Sequence, residues 1–134
     1  MTGKDVVREV ICLLKGGEKW TQGKFAKDAD GREVDTCSES AETFCLLGAG
    51  LKVLNGSLYG GGMNTEAFIE YRNLLGETLY PKRAKNGLGY DNNHIAGYND
   101  RKLVTFEDVE IALTRTLARL NRREKAARKA KESE

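Results

Sequence analysis

Ala41-Glu-Thr-Phe-Cys-Leu-Leu-Gly-Ala-Gly-Leu-Lys-Val-Leu54 is the most apolar run of the 134-residue chain, and its period decides the fold. Phe44, Leu47, Leu51 and Leu54 recur at three- and four-residue steps, as a helix buried on one side requires. On the neighbouring face Cys45, Gly48, Ala49 and Lys52 follow one another, and three of these four are small. Gly inside a helix costs about 1 kcal/mol against Ala, so Gly48 and Gly50 imply that a backbone or a bound molecule approaches closely there. Thr36-Cys-Ser-Glu39 has the form of a capping box launching this helix, and Asn55-Gly56 closes it. The reading is a central helix over 39–55.

The flanking segments supply its partners. Val6, Val7, Val10, Ile11 and Leu14 form one face of a first helix that Gly16-Gly17 ends. Asp30-Gly31 is a hairpin turn signal between Phe25-Ala26 and Val34, which predicts a two-stranded ribbon over 20–35 anchored by the lone Trp20. Gly60-Gly61-Gly62 reads as a flexible link. Asn64 or Thr65 then caps a third helix with Phe68, Ile69, Tyr71, Leu74 and Leu75 in the core and Gly76 as its stop. The lone Pro81 ends a short turn, residues 82–93 read as an exposed loop, and His94 to Asp100 as a helical turn. Thr105-Phe-Glu-Asp108 starts the last helix, whose apolar face is Phe106, Val109, Leu113, Leu117 and Leu120. The expected fold is mainly helical α+β, with about four helices and the ribbon. Residues 1–120 are expected to form a single globular domain, and 121–134 a basic helical extension or frayed tail.

Composition narrows the function classes. Hydrophobic content of 40% with 31% charged is that of an ordinary globular domain. Three cysteines, Cys12, Cys37 and Cys45, form no C-x-x-C pair, and there is one histidine. That argues for a reduced protein without a disulfide framework, metal site or cofactor. No apolar run approaches 18 residues, so neither a signal peptide nor a membrane span is expected, and the expected location is cytoplasmic. From Arg115 to Lys131 there are eight basic residues and one acid, Glu124, the only basic block in the chain.

The candidate chemistry is thin. Cys45 with His94 suggests a Cys–His hydrolase, but Cys45 is placed about two turns into the expected helix between Phe44 and Leu46, where a structural thiol is the better reading. Asp28-x-Asp30-Gly31 starts like a calcium loop without the acidic run that completes one, and the glycines at 60–62 lack the Lys-Ser/Thr of a phosphate loop. No catalytic residue is assigned. Arg115, Arg119, Arg122 and Arg123 can meet the phosphates of nucleic acid or a protein partner, or simply complement the helix dipole.

Three fragments together carry a family resemblance. They are Gly17-x-x-Trp-Thr-Gln-Gly-x-x-Ala-x-Asp-Ala-Asp-Gly-Arg32, the Phe-Cys-Leu-Leu-Gly-Ala run at 44–49, and Tyr98-Asn-Asp100 before a Thr-initiated helix. Over roughly 6–120 the chain resembles a family of small uncharacterised bacteriophage and actinobacterial proteins with a domain of unknown function. In that family a Gly-Trp-x-Gln-Gly segment precedes a Cys-Leu-Leu-Gly-Ala helix, and a Trp-Asn-Asp triplet precedes the last helix. Here Glu18-Lys19 separates Gly17 from Trp20, and Tyr98 stands where the family has Trp.

The resemblance implies a small phage accessory protein in the host cytoplasm, by analogy a host-defence antagonist. The expectation is a non-enzymatic protein sequestering a nucleotide-like small molecule. Trp20 or Tyr98 would stack on its base, and Lys24, Arg32 or Arg101 would meet its phosphates. Gln22, Asn99 and Asp100 would converge on it beside Gly48, or else brace the ribbon and last helix. The alternatives are an inhibitor binding a host protein or nucleic acid through the basic last helix, and a hydrolase using Cys45. A homo-oligomer is compatible with either binding reading.

Overall fold

The computed structural model describes residues 1–133. It contains α1 (Gly3–Leu14), β1 (Ala26–Lys27), β2 (Thr43–Phe44), α2 (Leu46–Val53), α3 (Glu66–Leu79), α4 (Pro81–Lys85), α5 (Asn92–Asn99) and α6 (Phe106–Glu132), with a 3-10 turn at Gly62–Asn64. The fold is mainly helical α+β with a short antiparallel ribbon. α1 packs against α2, α3 and α6, and α5 covers the other side of α2. The core joins Val6, Val7, Val10 and Leu14 of α1 to Leu46, Leu47 and Leu51 of α2. Phe68, Tyr71 and Leu75 of α3, Ile95 of α5, and Val109 and Leu113 of α6 complete it.

The central helix is shorter at its front than 39–55. Residues 42–45 pair with the Trp20 segment instead of turning. Phe44 N–H donates to Lys19 O (2.7 Å) and Thr21 N–H to Phe44 O (3.0 Å), while Glu42 and Cys45 N–H donate to Lys27 and Phe25 carbonyls (2.8 and 3.2 Å). Thr43 and Phe44 suit an extended backbone, and long-range pairing satisfies their polar groups as well as a helical turn would. The ribbon therefore pairs Ala26 with Phe44 and Lys27 with Thr43, so its second strand lies outside 20–35. The Asp30-Gly31 turn exists, with Gly31 at φ 81° and Lys27 bridging Glu33, but it is an appendage of β1. Thr36 is no helix cap: its buried hydroxyl donates to Gly56 O (2.7 Å). The end of α2 follows the sequence. Asn55 adopts φ 55°, and Asn55 and Gly56 N–H donate to the carbonyls of Lys52 and Leu51, closing a Schellman motif.

Two further boundaries differ. Gly76 lies inside α3, and the Tyr90 ring rests on it where any Cβ would collide, so the glycine serves packing and not helix termination. The expected loop at 82–93 contains α4, with Pro81 as its first residue, and the start of α5, capped by Asp91. α6 begins at a capping box between Thr105 and Asp108. It buries Val109, Ala112, Leu113 and Thr116, and from Asn121 onward every described residue is exposed while the helix runs on to Glu132.

Candidate functional site

The side chains expected to converge around a ligand do converge, on one another. Asn99 is fully buried at the end of α5. Its Oδ1 accepts from Trp20 Nε1–H (2.7 Å) and from Leu46 N–H (3.1 Å), an orphan donor of α2's first turn. Its Nδ2 donates to Thr21 O (3.0 Å) and Asp100 Oδ1 (3.0 Å). Asp100 Oδ1 also accepts Gly23 N–H (2.8 Å), and Gln22 Nε2 donates to the carbonyls of Asn99 (2.8 Å) and Arg101 (3.0 Å). The Asn99 amide thus has both donor hydrogens and two acceptor positions in use. Trp20, Gln22, Asn99 and Asp100 lock the 20–23 segment to α2 and α5 as a brace.

The remaining expected ligand residues scatter. Gly48 is buried, and a Cβ there would overlap the carbonyl oxygen of Phe25. The close approach read from the sequence is therefore backbone on backbone, with the Tyr71 ring doing the same at Gly50. Lys24 pairs with Glu33 (3.0 Å), and Arg32 is exposed in the 28–32 turn. Arg101 lies over the rings of Tyr98 (5.6 Å) and Tyr80 (5.8 Å) and donates to Tyr80 Oη (3.0 Å).

Cys45 is the N-cap of α2, its Sγ accepting Gly48 N–H (3.3 Å), so it sits at the helix start and not two turns in. A helix N-terminus favours a thiolate, yet burial pushes this thiol up to about 11. His94 caps α5, its Nδ1 accepting Asp91 N–H (3.0 Å), with its ring against Tyr80 and Tyr90. No hydrogen bond or ion pair joins the two among the described residues, and no hydrolase is assembled from them.

Open concavities lie elsewhere: one of about 450 Å³ between α1 and the end of α2, lined by Glu9, Cys12, Leu13, Lys52, Val53 and Asn55, and two along α6 where it crosses the ends of α3 and α5. One depression of about 330 Å³ is lined by Thr78, Leu79, Tyr98, Asp108, Ile111, Ala112 and Arg115. A second, of about 450 Å³, is lined by Glu77, Thr78, Pro81, Arg115, Ala118, Arg119 and Arg122. They share Thr78 and Arg115 and so form one groove. Tyr98 and three of the α6 arginines, Arg115, Arg119 and Arg122, assigned from sequence to different sites, line it together, whereas Arg123 does not. Its floor is pinned: Thr78 and Thr116 hydroxyls bond each other (2.6 Å), and Arg119 donates to Thr78 Oγ1 (2.6 Å) and Leu74 O (2.8 Å). Burial lowers the Arg119 pKa, opposed by Glu77 3.5 Å away, and its Nε is buried without a hydrogen-bond partner. Arg123 is held by Glu77 (3.0 Å). Arg115 and Arg122 are exposed and form no ion pair among the described residues.

Thr78, Asp108 and Ala118 gave no sequence signal as groove residues. Ile111 did: it is an isoleucine off the core stripe of α6, 41% exposed.

The groove opens onto the projecting part of α6. This 27-residue helix is about 40 Å long. The 115–131 stretch holds eight of the 22 basic residues and one of the 20 acids, leaving 14 basic and 19 acidic elsewhere. Arg115, Arg122 and Lys129 lie one heptad apart, hence nearly in line, over about 21 Å of helix. Among the described residues no helix is long and apolar enough to cross a membrane, and no three His, Cys, Asp or Glu side chains cluster as metal ligands.

Residues 1–119 match a family of unknown function, DUF6197, and the chain belongs to it. Comparison with curated proteins and with solved structures gave no match.

Proposed function

We propose that this member of DUF6197 is a non-enzymatic binding protein that docks on nucleic acid through the cationic face of α6. The observation that supports this reading is the continuous α6 helix, exposed throughout from Asn121, that carries the 115–131 basic run on a body that is otherwise net acidic. Regularly spaced cations on a straight element suit a polymer of regularly spaced phosphates, and releasing its counterions drives the association. An acidic protein surface suits it less. Protein interfaces are centred on buried aromatic or aliphatic anchors, and past Leu120 the helix has only alanine as an apolar type.

Capture of a free nucleotide by the Trp20–Asp100 set loses its support, because those polar groups bond to the protein. A phage accessory role against a host defence is compatible with nucleic-acid docking and adds nothing to its chemistry.

The test is fluorescence anisotropy with a labelled 20-nucleotide DNA, single-stranded and duplex. The wild type is compared with a variant combining Lys125→Gln, Arg128→Gln, Lys129→Gln and Lys131→Gln. Neutralising four or five phosphates gives a log K against log[salt] slope of about −3 to −4, and the variant should lose about 100-fold in affinity with a slope nearer −1. Absence of binding to either form at about 50 mM salt and 100 μM protein refutes the proposal, since non-specific DNA binders have Kd values near or below that concentration.

A further inference from the structure

Resting on the nucleic-acid reading, we infer that the groove seats one nucleotide of an unpaired strand, the strand continuing along the arm of α6. The two depressions carry different groups. The first brings Leu79, Ile111, Ala112 and the Tyr98 ring together with the polar groups of Thr78, Asp108 and Arg115. An aromatic side chain in such a mixed lining accepts a base, and a carboxylate accepts from an exocyclic amine. Asp108 Oδ2 is committed to the Thr105 cap, whereas Oδ1 accepts no hydrogen bond among the described residues. Burial, and then the Asp108 charge, raise the Tyr98 pKa, so this wall keeps its proton at neutral pH. The second depression gathers Arg115, Arg119 and Arg122 with Glu77 around Ala118 and Pro81; Glu77 holds Arg119, so Arg115 and Arg122 are the cations that meet a phosphate.

Arg115 belongs to both depressions, so the base and phosphate regions are contiguous. Volumes of about 330 and 450 Å³ are of small-ligand size. A base stacked in a duplex cannot enter such a slot without leaving its stack. Arg122 and Lys129, in line with Arg115, set the direction in which the following phosphates run.

Ala118→Leu tests the inference, because it fills the second depression without changing charge at an exposed, helix-tolerant position. In full-chain protein, the wild type should bind single strand about tenfold more tightly than duplex. Ala118→Leu should remove most of that preference while leaving duplex affinity within about twofold. Thermal unfolding of the variant verifies that it folds. As a second readout, ultraviolet cross-linking of an oligocytidine, whose bases carry the exocyclic amine, to the wild type should place adducts on the Tyr98 peptide. Equal affinity for duplex and single strand, an Ala118→Leu variant with unchanged preference, or adducts confined to 121–132 would each overturn the groove inference and leave the docking proposal standing. A free nucleoside monophosphate binding as tightly as the oligonucleotide would overturn the continuity with the arm. Absence of all nucleic-acid binding by the wild type would overturn both.

Discussion

Asn99→Ala separates a structural brace from a ligand site. The substitution strands Trp20 Nε1–H, Leu46 N–H and Thr21 O, whereas Asp100 Oδ1 keeps Gly23 N–H. A buried group left without a partner costs about 1–3 kcal/mol. Leu46 is fully buried and incurs the upper part of that range, while Trp20 is half-buried and recovers some hydration. The sum is about 4–5 kcal/mol, a large share of the 5–15 kcal/mol typical of a whole domain. At about 2 cal/mol/K of unfolding entropy per residue, it corresponds to a fall in Tm of about 15 °C. Urea unfolding followed by tryptophan fluorescence measures this directly, since Trp20 is the only tryptophan. Arg32→Ala, exposed in its turn, serves as the control and should stay within about 0.5 kcal/mol of wild type. An Asn99→Ala loss below about 1 kcal/mol would refute the brace. Retained stability with lost binding would restore Asn99 to a ligand site.

Other expectations follow from the same packing. Gly48→Ala gains about 1 kcal/mol of helix propensity but drives a methyl into the Phe25 carbonyl that accepts Cys45 N–H; a net loss of at least 2 kcal/mol is expected in urea unfolding. Titration with a thiol reagent should consume Cys12 and Cys37 quickly and Cys45 only on unfolding, because only Cys45 is buried. Its thiol is raised from 9.0 to about 11, so the unfolded chain ionises first as pH rises. Stability should therefore fall between pH 9 and 11 by up to about 3 kcal/mol, and Cys45→Ala should flatten that slope. Deleting 121–134 removes only exposed contacts among the described residues, including the Lys4–Glu124 pair with Glu124 56% exposed. Tm should change by no more than a few degrees while nucleic-acid affinity collapses.

Periodicity alone determined the helical faces. Val6, Val7, Val10 and Leu14, Phe68, Tyr71 and Leu75, and Val109 and Leu113 are buried as their spacing predicts, because a helix's apolar stripe is written every three or four residues, whereas Ile69 and Leu74, also expected in the core, are only partly buried. Local chemistry likewise gave the Gly16-Gly17 end of α1, the Asn55-Gly56 closure of α2 and the Thr105 start of α6, since caps and left-handed turns depend on adjacent residues only. The basic block was equally legible, because charge is read directly from composition.

Tertiary structure decided the rest. Thr43-Phe44 became a strand because partners about twenty residues away, at Lys19, Thr21 and Ala26, satisfied its backbone. Gly76, read as a stop, is instead an interior position of α3 whose missing side chain leaves room for the Tyr90 ring. Asn99 and Gln22 look alike as ligands or braces in sequence; the difference lies in which donors and acceptors meet them. The groove draws Tyr98, Thr78, Asp108 and Arg115 from three helices, and no spacing rule connects them. Near-neighbour physics is encoded locally, whereas a concavity exists only once separate elements have packed.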